Sequence, residues 1–139
     1  MVEVVNRQRR RKIATEPWRL QAANMLTAIG RPDGSVTIAF VSDAKIRQLN
    51  RDFRGVDKVT DVLSFPAQSD GDRTVSDLGD IAVSIGRAEI QAAENGLTLD
   101  EELSQLILHG LLHLCGYDHE TDNGEMNRLE LRLRRKLRI

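Results

Sequence analysis

Apolar positions recur along this chain with two periods, about 2 and about 3.6, and the switches between them mark out nine elements. Val2 to Val5 is a short, valine-rich run that reads as a strand. Trp18, Ala22, Met25, Leu26 and Ile29 follow at helical spacing. Thr15 caps this helix, Pro17 sits in its first turn, where a missing N–H costs little, and Gly30 stops it. Arg31-Pro-Asp-Gly34 is a turn. Val36, Ile38 and Phe40 alternate with Thr37, Ala39 and Val41 as a strand, and Ser42 caps a second helix carrying Ile46 and Leu49. Asp61-Val-Leu-Ser-Phe65 is strand-like and ends at Pro66. Gln68 to Asp77 is polar, contains Asp70-Gly-Asp72, and reads as a mobile loop. Ile81, Val83 and Ile85 alternate with Asp80, Ala82 and Ser84, so a fourth strand pairs antiparallel with the third.

Helices fill the rest. One covers about Arg87 to Asn95 and ends at Gly96. Thr98-Leu-Asp-Glu101 matches a capping box at the start of the next. Leu103, Leu106, Ile107, Leu108, Leu111, Leu112 and Leu114 leave that helix apolar almost all round, which predicts burial, and Gly116 breaks it. A last helix runs from about Thr121 with Met126, Leu129, Leu133 and Leu137 along one side. No repeat or low-complexity segment interrupts the order β-α-β-α-β-β-α-α-α. The pattern predicts an α+β fold: a small four-stranded mixed sheet packed with about five helices, one of them central and buried.

Bulk properties change this picture little. The 139 residues suit a single domain, 1–139, and a formal net charge of -1 gives no global pull toward nucleic acid or membrane. Two basic clusters stand out locally. Arg7, Arg9, Arg10, Arg11 and Lys12 form one, and Arg132, Arg134, Arg135, Lys136 and Arg138 the other. Each reads first as a solvated surface and second as a track for a polyanion. Cys115 is the only cysteine, which rules out an internal disulfide and suits a reducing compartment. No segment approaches the ~20 apolar residues of a membrane span, and the first residues lack the apolar core of a signal peptide. These features predict a soluble, cytoplasmic protein.

The chemistry concentrates in one segment. All three histidines, His109, His113 and His119, fall within His109-Gly-Leu-Leu-His-Leu-Cys-Gly-Tyr-Asp-His119, spaced H-x3-H-x5-H. The first two stand at i and i+4 and face the same way from adjacent turns. Gly116 permits the sharp exit that lets His119 return to the same point. Two unpaired imidazoles on an apolar helix would cost roughly 1–3 kcal/mol each, and a shared metal removes that objection. Three protein ligands with an open fourth position make a catalytic zinc site. Zinc is the expected ion, and imidazole also suits nickel, iron and copper. A closed structural zinc would need a fourth ligand, for which Cys115 is the nearby soft candidate, although a small packed residue describes it better. Asp118 is a candidate fourth ligand, a partner that orients an imidazole, or a proton-handling group, the last two being preferred. The zinc-protease motif H-E-x-x-H places its general base where this chain has Gly110, which argues against peptide hydrolysis.

The histidine block resembles the signature of the YbeY endoribonucleases. The resemblance extends to Leu49-Asn-Arg-Asp-Phe-Arg-Gly55, Thr60-Asp-Val-Leu-Ser-Phe-Pro66, Leu78-Gly-Asp-Ile81 and Gln91-Ala92, roughly from Asp43 to the C-terminus. Val59 departs from the proline that family often places before the Thr-Asp pair. The resemblance implies a zinc-dependent, single-strand-specific endoribonuclease. It further implies maturation of the 3′ end of small-subunit ribosomal RNA, ribosome quality control, and small-subunit ribosomal proteins as partners. It places the metal on His109, His113 and His119 and a functional arginine at Arg54, whose guanidinium fork suits phosphate. Ser64 is expected to be packed or hydrogen-bonded, Asp61 to bind local backbone, and Tyr117 to fill space beside the histidine turn or stack a base. Two alternatives stand beside this reading: a metzincin-like metallopeptidase, and a non-catalytic ribosome-binding protein with a structural zinc.

Overall fold

The computed structural model describes residues 1–67, 76–118 and 120–139. Four strands, β1 (Val2–Asn6), β2 (Ser35–Val41), β3 (Val62–Pro66) and β4 (Asp77–Ser84), form one sheet in the order β1-β2-β4-β3. β1, β2 and β4 are mutually parallel, whereas β3 lies antiparallel to β4 at the edge. Five helices complete the described elements: α1 (Thr15–Ile29), α2 (Asp43–Arg54), α3 (Ile85–Asn95), α4 (Leu99–Leu114) and α5 (Glu125–Leu137). The α+β class, the mixed sheet and the element order agree with the sequence pattern.

Register explains where the core sits. Ile38 pairs with Ile81 and Phe40 with Val83, so these four buried side chains share one face of the sheet. Trp18, Met25 and Leu26 of α1 and the leucine-rich α4 close over that face in one apolar cluster. The opposite face carries a smaller cluster of Val41, Leu63 and Ala82 against Ile46 of α2. β4 is therefore covered on both sides. Ala82 and Ser84, which alternate with the Ile81 and Val83 face, are also buried, at 4 % and 0 % exposed. An amphipathic pattern reports one buried face and is blind to a second cover.

Four boundaries differ from the sequence reading. Ala14, in extended conformation, is the residue before α1, and Thr15 is already helical with no side-chain cap. Ile85 opens α3 instead of closing β4. Asp77 begins β4 where a loop was expected, and the rest of that expected loop, residues 68–75, lies outside the described residues. α5 begins at Glu125, four positions after Thr121, because Asp122 reaches forward to cap it. Its carboxylate accepts from the backbone N–H of Gly124 at 2.8 Å and of Met126 at 2.9 Å. Other punctuation holds. Ser42 Oγ accepts from Lys45 N at 3.2 Å, and Thr98 with Glu101 forms the complete capping box.

α4 positions the site. Its residues 103, 107, 108, 111 and 112 are at most 1 % exposed, and it packs against β3, β4, α1, α3 and α5. Gly110 allows the close approach to the sheet. A Cβ there would lie 3.0 Å from Ile81 Cδ1 and 3.3 Å from Ser64 Oγ.

Candidate functional site

A cleft of about 1050 Å³ opens between the outer face of α4, the edge strand β3, and the segment after α4. α4 contributes Glu102, Gln105, Leu106, His109 and His113, at the i, i+3, i+4, i+7 and i+11 spacing of one helix face. β3 contributes Val62, Ser64 and Pro66, the positions that alternate toward α4, and α2 ends with Arg54 at the rim. Tyr117 and Asp118 follow the turn at Gly116, while Glu130 and Arg134 enter from α5.

The two helical histidines converge as their spacing predicts. His109 Nε2 and His113 Nε2 are 3.0 Å apart, with ring centroids at 4.6 Å. His109 keeps a side-chain exposure of 33 %, so the pair faces the cleft and is not sealed in the apolar core. The burial argument for a metal is weaker than the sequence suggested, and the convergence argument is stronger. Two nitrogens bound at about 2.0–2.1 Å to one tetrahedral ion stand about 3.3 Å apart, within a small side-chain adjustment of the observed separation. His109 and His113 therefore fit a divalent ion. His119, the third expected ligand, lies outside the described residues, and among the described residues no set of three histidine, cysteine or carboxylate side chains is arranged to hold a metal.

Glu130 escaped the sequence reading. Its Oε1 lies 2.6 Å from His109 Nδ1, and Arg134 Nη2 donates to its Oε2 at 3.2 Å. Burial pushes the Glu130 carboxyl up. The hydrogen bond from His109 and the charges of His109, Arg134 and His113 outweigh this and hold it below the usual carboxylate range. Arg134 is thus part of the site wall, although its cluster reads in the sequence first as a solvated surface. Gln91 was noticed only as part of a matching block. With its amide oriented to donate, it bridges Glu102 Oε1 at 3.1 Å and Asp61 Oδ2 at 3.0 Å.

The remaining expected residues fall as follows. Arg54 Nη2 donates to the Ser64 carbonyl at 3.1 Å, which ties the guanidinium to the edge strand beside the cleft. Ser64 is buried and its hydroxyl donates to the Gly110 carbonyl at 3.4 Å, a structural contact. Asp61 Oδ1 accepts from Val62 N at 2.7 Å, the local backbone role expected of it. Asp118 lines the cleft, and its Oδ1 accepts from Glu120 N at 3.0 Å. Cys115 packs against the main core, and burial raises its thiol while the Arg31 charge opposes the shift. Among the described cleft-lining residues Cys115 is absent, consistent with a packing role. At Gly110, where a protease motif has its glutamate, any side chain would press on Ile81 and Ser64, which would have to give way.

Arg54 has an aromatic neighbour that the sequence reading passed over. Phe53 is 68 % exposed and meets Phe65 edge-on at a centroid distance of 5.3 Å. The N-terminal basic run is partly neutralised within the fold. Arg10 and Arg11 both bind Glu89, at 2.8 and 2.7 Å.

Known proteins resemble this chain over most of its length. A family described as endoribonuclease YbeY matches residues 3–138. The endoribonuclease YbeY of Solibacter usitatus is 56% identical over 95 residues, which are 68% of this chain and 60% of that protein. The Koribacter versatilis protein of the same name is 54% identical over 106 residues, 76% of this chain and 66% of its own length. The chain thus aligns with slightly less than two thirds of each of these two relatives. The Geobacter sulfurreducens protein is 39% identical over 136 residues, 96% of this chain and 91% of its own. The solution structure of TM1509 from Thermotoga maritima superposes with a TM-score of 0.67 at 29% identity, covering 99% of this chain and 89% of that one. A match that runs almost from end to end and takes in the helical histidine pair and the Arg54 block places this chain in the YbeY family.

Proposed function

We propose that this protein is a metal-dependent endoribonuclease that cleaves single-stranded RNA, with ribosomal RNA near the 3′ end of the small-subunit species as its substrate. The observation that carries the reading is the convergence of His109 and His113 through their Nε2 atoms on a cleft that also holds Arg54. The name shared by its relatives, endoribonuclease YbeY, supports the same activity. Ribosome quality control, small-subunit protein partners and a cytoplasmic location belong to this proposal.

His109, His113 and His119 would hold the ion, zinc in first place. When bound, such an ion supplies Lewis-acid polarisation of a phosphoryl oxygen. The charge of the cleft supports a cation. Asp61, Glu102, Asp118, Glu120 and Glu130 stand against Arg54 and Arg134, so the protein groups alone would repel an RNA backbone. The chain's own residues do the positioning. Arg54, anchored by one N–H to Ser64, presents its remaining donors to a phosphate and steadies charge that builds as the bond breaks. Asp118, which lines the cleft after the histidine turn, would hold or pass a proton.

Cleavage of a single-stranded RNA by purified protein, with and without added zinc, tests the proposal. His113→Ala should lose bound metal and lower cleavage at least 100-fold. Arg54→Ala should retain metal and lower cleavage about 10- to 1000-fold, the range for removal of a group that stabilises transition-state charge. Undiminished cleavage by metal-free His113→Ala protein would overturn the metal-dependent mechanism.

A further inference from the structure

The side chain of Glu130 is 10 % exposed, and each of its oxygens has a partner. Oε1 takes His109 Nδ1 at 2.6 Å, and Oε2 takes Arg134, one turn further along α5, at 3.2 Å. Paired through Oε2 with the Arg134 guanidinium, Glu130 is a carboxylate that can only accept hydrogen bonds, so the proton in the short contact belongs to His109 Nδ1. In a neutral imidazole the other nitrogen, Nε2, then carries the lone pair. That nitrogen faces His113 Nε2 at 3.0 Å, and the same assignment makes His113 Nε2–H the donor between them. A free imidazole is under no such constraint. The arrangement therefore selects one tautomer of His109 and aims its lone pair at the point where the two histidines meet.

We propose that Glu130 is a positioning residue for the metal centre: from α5 it holds His109 as the Nδ1–H tautomer with Nε2 presented as a ligand, and Arg134 in turn fixes Glu130. This rests on the metal-dependent reading above. A merely structural role, fastening α5 to α4, makes a different forecast. It would weaken the fold without changing which nitrogen of His109 bears the proton or how tightly the folded protein takes a metal. Carboxylate partners of ligating histidines typically govern metal affinity by about 10- to 100-fold.

The experiment has two readouts on wild type, Glu130→Ala, Glu130→Gln and Arg134→Met, each first checked for a native near-ultraviolet spectrum and melting transition. Zinc affinity is measured by competition with a chromophoric chelator. Nitrogen-15 chemical shifts of the imidazoles in metal-free protein report the tautomer. Glu130→Ala should bind zinc about 10- to 100-fold more weakly and show His109 leaving the pure Nδ1–H form. Glu130→Gln, which can still accept through its carbonyl, should fall between Ala and wild type, and Arg134→Met should lose a few-fold. Folded Glu130→Ala protein with wild-type zinc affinity would overturn the proposal. So would a wild-type His109 protonated on Nε2, whatever the metal does. Wild-type protein with the expected tautomer but no stoichiometric zinc would sink the metal reading itself, and the metal-positioning role with it. Should Glu130→Ala fail to fold, Glu130→Gln and Arg134→Met decide: wild-type affinity in both overturns it.

Discussion

Gly79 has φ +122°, and a Cβ built there would lie 2.1 Å from the Phe65 carbonyl oxygen and 2.7 Å from Ala67 N. This residue pairs with Pro66 in the β3·β4 register, at the end of the strand pair that presents Val62 and Ser64 to the cleft. The backbone angle and the contact both penalise any larger residue. Gly79→Ala should lower unfolding free energy by roughly 2–4 kcal/mol, combining left-handed strain with a backbone clash. Urea denaturation followed by circular dichroism measures it, and a loss under 1 kcal/mol would mean that the strand end yields freely. Single residues also mark where sequence reading stops. The His109 and His113 pairing was legible because both lie on one helix and spacing alone sets their direction. Glu130 was not, because it stands 21 positions beyond His109 and meets it only through the packing of α5 on α4. Gln91 of α3 bridges Glu102 of α4 and Asp61 just before β3, a contact no local pattern encodes.

Elements were read well where the signal is covalent or local. The boundaries set by Ser42, Gly30, Gly96 and the Thr98–Glu101 box emerge as expected, since each depends on a few adjacent residues. The start of α5 was misplaced because its apolar stripe cannot reveal that Asp122 caps it from outside. The two-sided burial of β4 was missed because α2 lies across the sheet from the main core. α4 shows how a local device serves a distant site. Thr98 Oγ1 accepts from Glu101 N at 3.1 Å at one end, while His113 occupies the last turn at the other. Thr98→Ala should cost about 1 kcal/mol of global stability and leave zinc affinity within two-fold of wild type. The cap works on the helix ensemble, and the metal-facing turns are held separately by α5 and the sheet. A parallel drop in zinc affinity of the folded protein would show that the histidines depend on the whole helix being taut.

At the scale of the molecule, a chain of net charge -1 distributes its basic residues unevenly, and folding spends some of them. Arg10 and Arg11, part of the run read first as a solvated surface and second as a polyanion track, converge on Glu89 of α3, so the segment between β1 and α1 is tied to the body of the protein. Burial tends to raise the Glu89 carboxyl. The hydrogen bonds from Arg10 and Arg11, with their charges, prevail and hold it below the usual carboxylate range. A carboxyl depressed in the folded state stabilises above its unfolded pKa, near about 4.3, and that contribution is lost as pH falls through the lower folded value. Glu89 is 18 % exposed but its partners are 63 % and 55 % exposed, so solvent and salt screen the pairs. The expected worth at neutral pH is therefore no more than about 1 kcal/mol. Glu89→Gln should be less stable than wild type by that amount at pH 7, and the difference should shrink below pH 4 and in 1 M salt. Paired urea titrations of the two proteins across pH 3 to 7 measure it. A difference that stays constant over that range would show that Glu89 acts through packing, leaving Arg10 and Arg11 available to an RNA backbone.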